Sequence, residues 1–228
     1  MDIQLNYVER GQGKPLVLLH GNGEDSAYFS QQMDCFSATR RVIAVDTRGH
    51  GKSPRGTAPF TIRQFAKDLA EFLDGMDLPQ TDLLGFSDGG NIALIFALEY
   101  PERVDRLILN GANLDASGVK RHVQLPIALG YRVAKAFSKK NPEVLRHAEL
   151  LGLMVNDPNI PVEKLETVTA PTLVIAGTKD MIREAHTRLI AARIPGARMV
   201  LIPGDHFVAA KNPSAFNAAV AEFLNEAP

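Results

Sequence analysis

The run Leu83-Leu84-Gly85-Phe86-Ser87-Asp88-Gly89-Gly90-Asn91 constrains the fold more than any other stretch of this chain. It reads as a short apolar strand, a tight turn and the start of a helix. Such a turn forces its central residue into a strained backbone conformation and lifts that side chain above a sheet edge. The residues two before and two after must then be small, so that strand and helix can approach. Gly85 and Gly89 meet that requirement around Ser87. Taken alone, the same spacing also describes an ordinary strand-to-helix connection, and the rest of the chain decides between the two.

Apolar runs bounded by turn residues alternate with helical patterns along the chain, which predicts the α/β class, a mainly parallel sheet flanked by helices on both faces. Strands are expected over 15–20, 42–45, 81–84, 106–109, 172–175 and 198–202. Val17-Leu18-Leu19 and Leu173-Val174-Ile175 show the unbroken apolar character of buried parallel strands. Ile3 to Glu9 is expected as an antiparallel edge strand turning at Gly11-Gln12-Gly13. Ile62, Phe65, Leu69, Phe72 and Leu73 share one face of a helix over 61–75, and the helix after Ser87 stops before Pro101.

The alternation breaks after Leu109. Residues 111–169 show two helical stretches, near 126–138 and 142–154, each opening on a proline, and no convincing strand. This segment is expected to be a small helical cap inserted over the C-terminal edge of the sheet. With 228 residues, the chain is expected to form one domain, 1–228, that includes this cap.

Lysine and arginine number 25 against 26 aspartate and glutamate, so no global field favours nucleic acid or an acidic membrane surface. The expected partner is a small-molecule substrate, with no nucleic acid and no membrane, and the oligomeric state stays open. Locally, the cap carries Lys120, Arg121, Arg132, Lys135, Lys139, Lys140 and Arg146. That reads as a solvated face, with steering of an anionic substrate as the alternative. The start, Met1-Asp2-Ile3-Gln4-Leu5-Asn6, lacks a basic stretch followed by an apolar run, and a cytoplasmic protein is expected. A single cysteine, Cys35, excludes an internal disulfide and is expected to pack within a helix interface.

A serine hydroxyl is a poor nucleophile at neutral pH and needs a histidine base, usually oriented by a carboxylate. Asp180 follows an apolar strand in Gly177-Thr178-Lys179-Asp180, and His206 follows the last strand in Pro203-Gly204-Asp205-His206-Phe207. Both would emerge with Ser87 at the C-terminal edge of one parallel sheet, where open α/β sheets place their sites. Singly, Asp180 also reads as a helix cap and His206 as an ordinary loop histidine. The order Ser, Asp, His across three post-strand loops favours a catalytic triad. Donors for an oxyanion are expected from the backbone amides of Asn22, in the loop His20-Gly21-Asn22-Gly23, and of Asp88. His20 is expected to order that loop rather than act as a base.

On these residues the chain resembles the α/β-hydrolase superfamily. The matching stretches are His20-Gly21, Asp46-Thr47-Arg48-Gly49-His50-Gly51-Lys52-Ser53, Gly85 to Gly90, Tyr100-Pro101-Glu102-Arg103-Val104, Gly177 to Asp180 and Gly204 to His206. They span nearly the whole chain apart from the cap. The resemblance implies hydrolysis through an acyl-enzyme, with no metal and no organic cofactor. The Ser-Asp-Gly-Gly elbow is similar to that of valacyclovir-hydrolase-like amino-acid-ester hydrolases, in which an acid near the nucleophile helps hold a substrate ammonium. Asp88 is accordingly either such a group or a carboxylate held by local backbone amides or an arginine. The short cap suits a compact substrate, with Phe86, Leu125, Leu129, Met154 and Phe207 as expected pocket walls.

The expected activity is thus cleavage of a small or medium carboxylic ester, with carbon–carbon bond hydrolysis on the same triad as the alternative and a catalytically silent binding protein as a remote one. Nucleophilic-aspartate chemistry is disfavoured, because the elbow holds serine. Gly49-His50-Gly51-Lys52-Ser53 ends like a phosphate loop, but Asp46 stands where its first glycine belongs. Gly21 to Ser26, followed by Asp46, mimics a dinucleotide fingerprint. Ser26 replaces the third glycine, however, and that reading leaves Ser87, Asp180 and His206 unexplained. His50, His122, His147 and His186 show no metal-ligand spacing.

Overall fold

The computed structural model describes residues 2–226, so the ends of the expected domain, Met1, Ala227 and Pro228, lie outside it, as does the side chain of Lys140. Among the described residues the strands are β1 (Tyr7–Arg10), β2 (Pro15–Leu19), β3 (Arg41–Val45), β4 (Thr81–Phe86), β5 (Val104–Asn110), β6 (Thr172–Gly177) and β7 (Arg198–Ile202). They form one sheet in the order β1-β3-β2-β4-β5-β6-β7. β1 runs antiparallel to β3 and the other pairs are parallel. The edge strand expected over residues 3–9 is thus shorter and starts later.

The helices are α1 (Ser30–Phe36), α2 (Ile62–Gly75), α3 (Asp88–Glu99), α4 (Arg121–Phe137), α5 (Pro142–Asn156), α6 (Glu184–Arg193), α7 (Val208–Lys211) and α8 (Pro213–Asn225). Alternate residues of each strand feed two apolar layers, as the two-residue period requires. Val17, Leu19, Leu83 and Leu109 pack with α2 and α3, whereas Leu16, Leu18, Leu84 and Ile108 pack with α1 and α8. Helix α3 is buried from Asp88 through Ala97 because the sheet and α2 enclose it, and its sequence is correspondingly apolar on all sides.

β2 and β4 are neighbours in the sheet, with Leu19 opposite Gly85. The chain leaving β2 proceeds to β3 on one side and the chain leaving β4 proceeds to β5 on the other. The two departing loops therefore diverge and open a crevice at the C-terminal ends of β2 and β4. The long loop after β3 is held from within. Fully buried Arg48 donates to both Asp68 oxygens at 2.6 and 2.7 Å. Asp46 accepts from the amides of Ser26 (2.7 Å) and Lys52 (2.9 Å) and from the Asn6 side chain (2.8 Å). Its carboxylate is committed to loop architecture, which takes away the ribose partner of the dinucleotide reading.

The segment expected as a cap holds α4 and α5, joined by a 3-10 turn at Ser138–Lys140. It is tied to the rest of the fold: Leu114, Leu153 and Leu165 enter the core layer beside α3, and Arg55 pairs with Glu149 of α5 at 2.6 Å. Two expectations need correction. Helix α4 begins at Arg121, so Pro126 lies inside it, on an exposed face. Cys35 is exposed on α1, whose buried face consists of Gln32, Met33 and Phe36. Among the described residues no helix is long and apolar enough to cross a membrane.

Candidate active site

Ser87 adopts φ 54° and ψ −118°, a conformation that costs a non-glycine residue about 1–3 kcal/mol and persists only where its surroundings over-determine it. Its amide donates to the Asn110 carbonyl of β5 at 2.8 Å, and its carbonyl accepts from Asn91 of α3 at 3.0 Å. The two flanking glycines allow the crowding. A Cβ on Gly85 would sit 2.1 Å from the Gly89 carbonyl oxygen, and one on Gly89 would sit 1.9 Å from that of Leu19. β4, α3 and the end of β2 thus meet backbone to backbone, which leaves the serine side chain half-buried at the crevice.

The structure brings Ser87, His206 and Asp180 together from the three expected loops. His206 Nε2 lies 3.0 Å from Ser87 Oγ and Nδ1 lies 2.7 Å from Asp180 Oδ1. Asp180 also accepts from the amides of Ile182 at 2.8 Å and Gly177 at 3.3 Å, so it is fixed before it meets the imidazole. With Nδ1–H donating to the carboxylate, Nε2 presents its lone pair to the serine hydroxyl. Room for the ring comes from Gly111, at the end of β5, where a Cβ would lie 2.7 Å from His206 Cε1. In the sequence Gly111 marks only the start of the expected cap. The signal in the sequence is its place two residues beyond a predicted strand, 106–109.

The loop after β2 lies against the N-terminus of α3. His20 is buried and neutral: its Nε2 accepts from the Thr47 amide at 3.0 Å, its Nδ1–H donates to the Gly21 carbonyl at 2.7 Å, and burial pushes its pKa down. The Asn22 side chain donates to Asp88 Oδ2 at 2.9 Å and to the Leu150 carbonyl of α5 at 2.8 Å, joining loop, nucleophile helix and cap segment. Asp88 meets side-chain amides, those of Asn22 and Asn91 (3.4 Å); of the two sequence expectations, the one with backbone amides or an arginine as its partners is thereby corrected, and the one with a substrate ammonium stays open. Burial pushes its carboxyl up to about 6, against the lowering effect of the Asn22 amide.

Glu24, which sequence reading did not single out, accepts from the Gly21 amide at 3.2 Å in the same loop, and burial pushes its carboxyl up to about 7. Its folded-state pKa lies above its ordinary value of 4.5, so the folded chain retains a proton that the unfolded chain releases between about 4.5 and 7. Stability is fully present below that window and falls as pH rises through it. Glu24→Gln keeps the acceptor and removes the titration. Its thermal midpoint is expected to match wild type near pH 4 and to exceed it by about 2–4 °C near pH 8, a modest figure because the group is part-exposed and screened. Equal midpoints at both pH values would refute this account.

Phe86 is buried, stacks on Tyr28 at 4.5 Å between centroids and lies 4.9 Å from the His206 ring. Phe207 lies 5.6 Å from both rings. The Tyr28 hydroxyl, also missed by sequence reading, is buried with no hydrogen-bond partner among the described residues. The remaining expected walls lie elsewhere. A cavity of about 210 Å³ beside His206 and Asp180 is lined by Lys120, His122, Lys179, Met181, Asp205 and Phe207, and does not include Leu125, Leu129 or Met154. Leu125 and Leu129 are exposed, because α4 turns its small residue Ala134 inward instead. Met154 is half-buried on α5, and its carbonyl accepts from Gln124 at 3.2 Å.

Comparison with known proteins agrees with this fold. The sequence profile of a family described as alpha/beta hydrolase fold matches residues 14–135. The chain is 28% identical over 247 residues to the serine hydrolase BPHL of Homo sapiens, covering 97% of this chain and 83% of that one. It is 27% identical over 248 residues to 3-oxoadipate enol-lactonase 2 of Acinetobacter baylyi, covering 96% and 92%. The crystal structure of a hydrolase from Pseudomonas aeruginosa superposes with a TM-score of 0.77 at 27% identity, covering 98% and 95%.

Proposed function

The chain belongs to the α/β-hydrolase fold family, and from that premise we propose that it is a serine hydrolase cleaving small or medium carboxylic esters through an acyl-enzyme. The observation that carries this reading is the unbroken relay from Ser87 Oγ through His206 to Asp180. His206 Nε2 takes the Ser87 proton as Oγ attacks the ester carbonyl, and Asp180 stabilises the resulting imidazolium and fixes its tautomer. The imidazolium then gives that proton to the departing alkoxide, leaving the acyl group on Ser87. Water enters and attacks the acyl carbon as it loses a proton to the same nitrogen, and the imidazolium returns that proton to Ser87 Oγ as the carboxylic acid leaves.

The tetrahedral oxyanion of each step is assigned to the backbone amides of Asn22 and Asp88, each worth about 3 kcal/mol to a transition state of this kind. The Asp88 amide opens α3, where the helix dipole adds favourable charge. The Asn22 side chain, tied to Asp88 and Leu150, holds its own backbone in place beside it. The two similar proteins named above, a serine hydrolase and an enol-lactonase, lend this assignment further weight.

Hydrolysis of a short-chain nitrophenyl ester, measured alongside labelling by a fluorophosphonate and read out by intact mass, tests the proposal. Turnover with a single adduct per chain is the expected result. Labelling without turnover of any ester in a panel of acyl lengths would remove the ester assignment and keep the nucleophile. Failure of both would remove the mechanism.

A further inference from the structure

Helix α4 carries an apolar strip outward. Leu125, Leu129, Val133 and Phe137, spaced one turn apart, are 62, 64, 53 and 64% exposed. A broad groove of about 770 Å³ runs between this strip and α5, lined by Pro126, Leu129, Val133, Phe137 and Val144 with Glu143 and His147 on its α5 side. A helix on the surface of a globular protein turns such residues toward the core, and a contiguous exposed apolar strip marks an interaction surface.

The charge around the strip is one-sided. Residues 116–142 contain six lysines and arginines and no aspartate or glutamate, in a chain whose net charge is −1. At 100° per residue, Arg121, Arg132 and Lys135 fall on one flank of the arc from Leu125 to Phe137, and all three are exposed. The acids of α5 are Glu143, at the end of the groove, and Glu149, which is paired with Arg55. A second copy packing its α4 antiparallel to this one across a twofold axis would set its cations beside the same cations. An anionic bilayer supplies both complements at once, negative headgroups beside an apolar interior.

We propose that α4 is an interfacial helix that docks the protein on an anionic lipid surface. Leu125, Leu129, Val133 and Phe137 enter the boundary between headgroups and acyl chains, and Arg121, Arg132 and Lys135 contact the headgroups. The docked helix begins at the rim of the candidate active site, since Lys120 and His122 line the cavity beside His206. The expectation of no membrane partner rests on the charge summed over the whole chain and on reading this local excess as a solvated face.

Co-sedimentation of the full chain with vesicles tests the proposal. Binding is expected to vesicles of phosphatidylcholine and phosphatidylglycerol in equal parts and not to phosphatidylcholine alone. It should be lost at about 1 M salt, where screening acts over about 3 Å. The double variant Arg132→Glu, Lys135→Glu is expected to lower partitioning roughly tenfold or more, and Val133→Asp with Phe137→Asp is expected to abolish it. Circular dichroism melts of both variants that match wild type show that folding is intact. Three results would overturn the proposal: no binding to the anionic vesicles, binding that neither double variant weakens, or a dimer in sedimentation equilibrium that Phe137→Asp disperses. The last would assign the face to a second copy of this chain.

Discussion

Ser87→Ala is expected to lower ester turnover by on the order of 10⁶-fold, because the residues of a relay act as a unit and loss of the nucleophile removes the covalent path altogether. What remains is catalysis by binding and by the oxyanion donors. The fold should survive. Alanine meets the same backbone strain at φ 54° that serine does, and the lost Oγ contact to His206 is worth about 1 kcal/mol at a half-buried position that water can enter. The comparison is read from steady-state turnover, fluorophosphonate labelling and a thermal melt of the same preparation. Wild-type turnover in the folded variant would remove Ser87 from the mechanism.

Gly89→Ala is expected to strike the fold itself. Its Cβ would lie 1.9 Å from the Leu19 carbonyl oxygen and 2.6 Å from that of His20, both backbone atoms. Leu19 belongs to β2, which is paired on one side with β3 and on the other with β4, so it has nowhere to retreat. The helix must move instead, taking the Ser87 turn and the Asp88 amide with it. Destabilisation on the order of 4 kcal/mol or more follows, a large part of the 5–15 kcal/mol typical of a domain. Gly75→Ala is the contrast: at the end of α2 its Cβ meets nothing within 4 Å, and a gain of about 0.4–1 kcal/mol is expected. Urea midpoints of the two variants decide the matter, and a Gly89→Ala midpoint near wild type would contradict the argument.

The strands were legible because their signals are local. Val17-Leu18-Leu19 and Leu173-Val174-Ile175 announce buried parallel strands, and the turn residues after them mark where side chains leave the sheet. Ser87, Asp180 and His206 followed from that, since a parallel sheet sends every post-strand loop to one edge. Helix α4 was legible as a helix but not in its start or its facing. Pro126 suggested a beginning that lies five residues upstream, at Arg121, because a proline on an exposed turn is tolerated. The four-residue spacing of Leu125, Leu129, Val133 and Phe137 shows that they share a face and is silent on whether that face meets protein or solvent.

Sequence by itself determined the order of elements, the strained turn at Ser87 and the edge of the sheet at which the chemistry-bearing residues emerge, because periodicity and turn chemistry act over a few neighbouring residues. Tertiary structure alone decided the rest. It set the Asn22 amide against Asp88 and Leu150, gave His206 its room above Gly111, buried Glu24 enough to raise its carboxyl, and left the apolar strip of α4 uncovered. Each of these depends on which atoms, tens of residues apart in the chain, end within a few ångströms of one another. A contact of that kind leaves no trace in the local pattern of either partner.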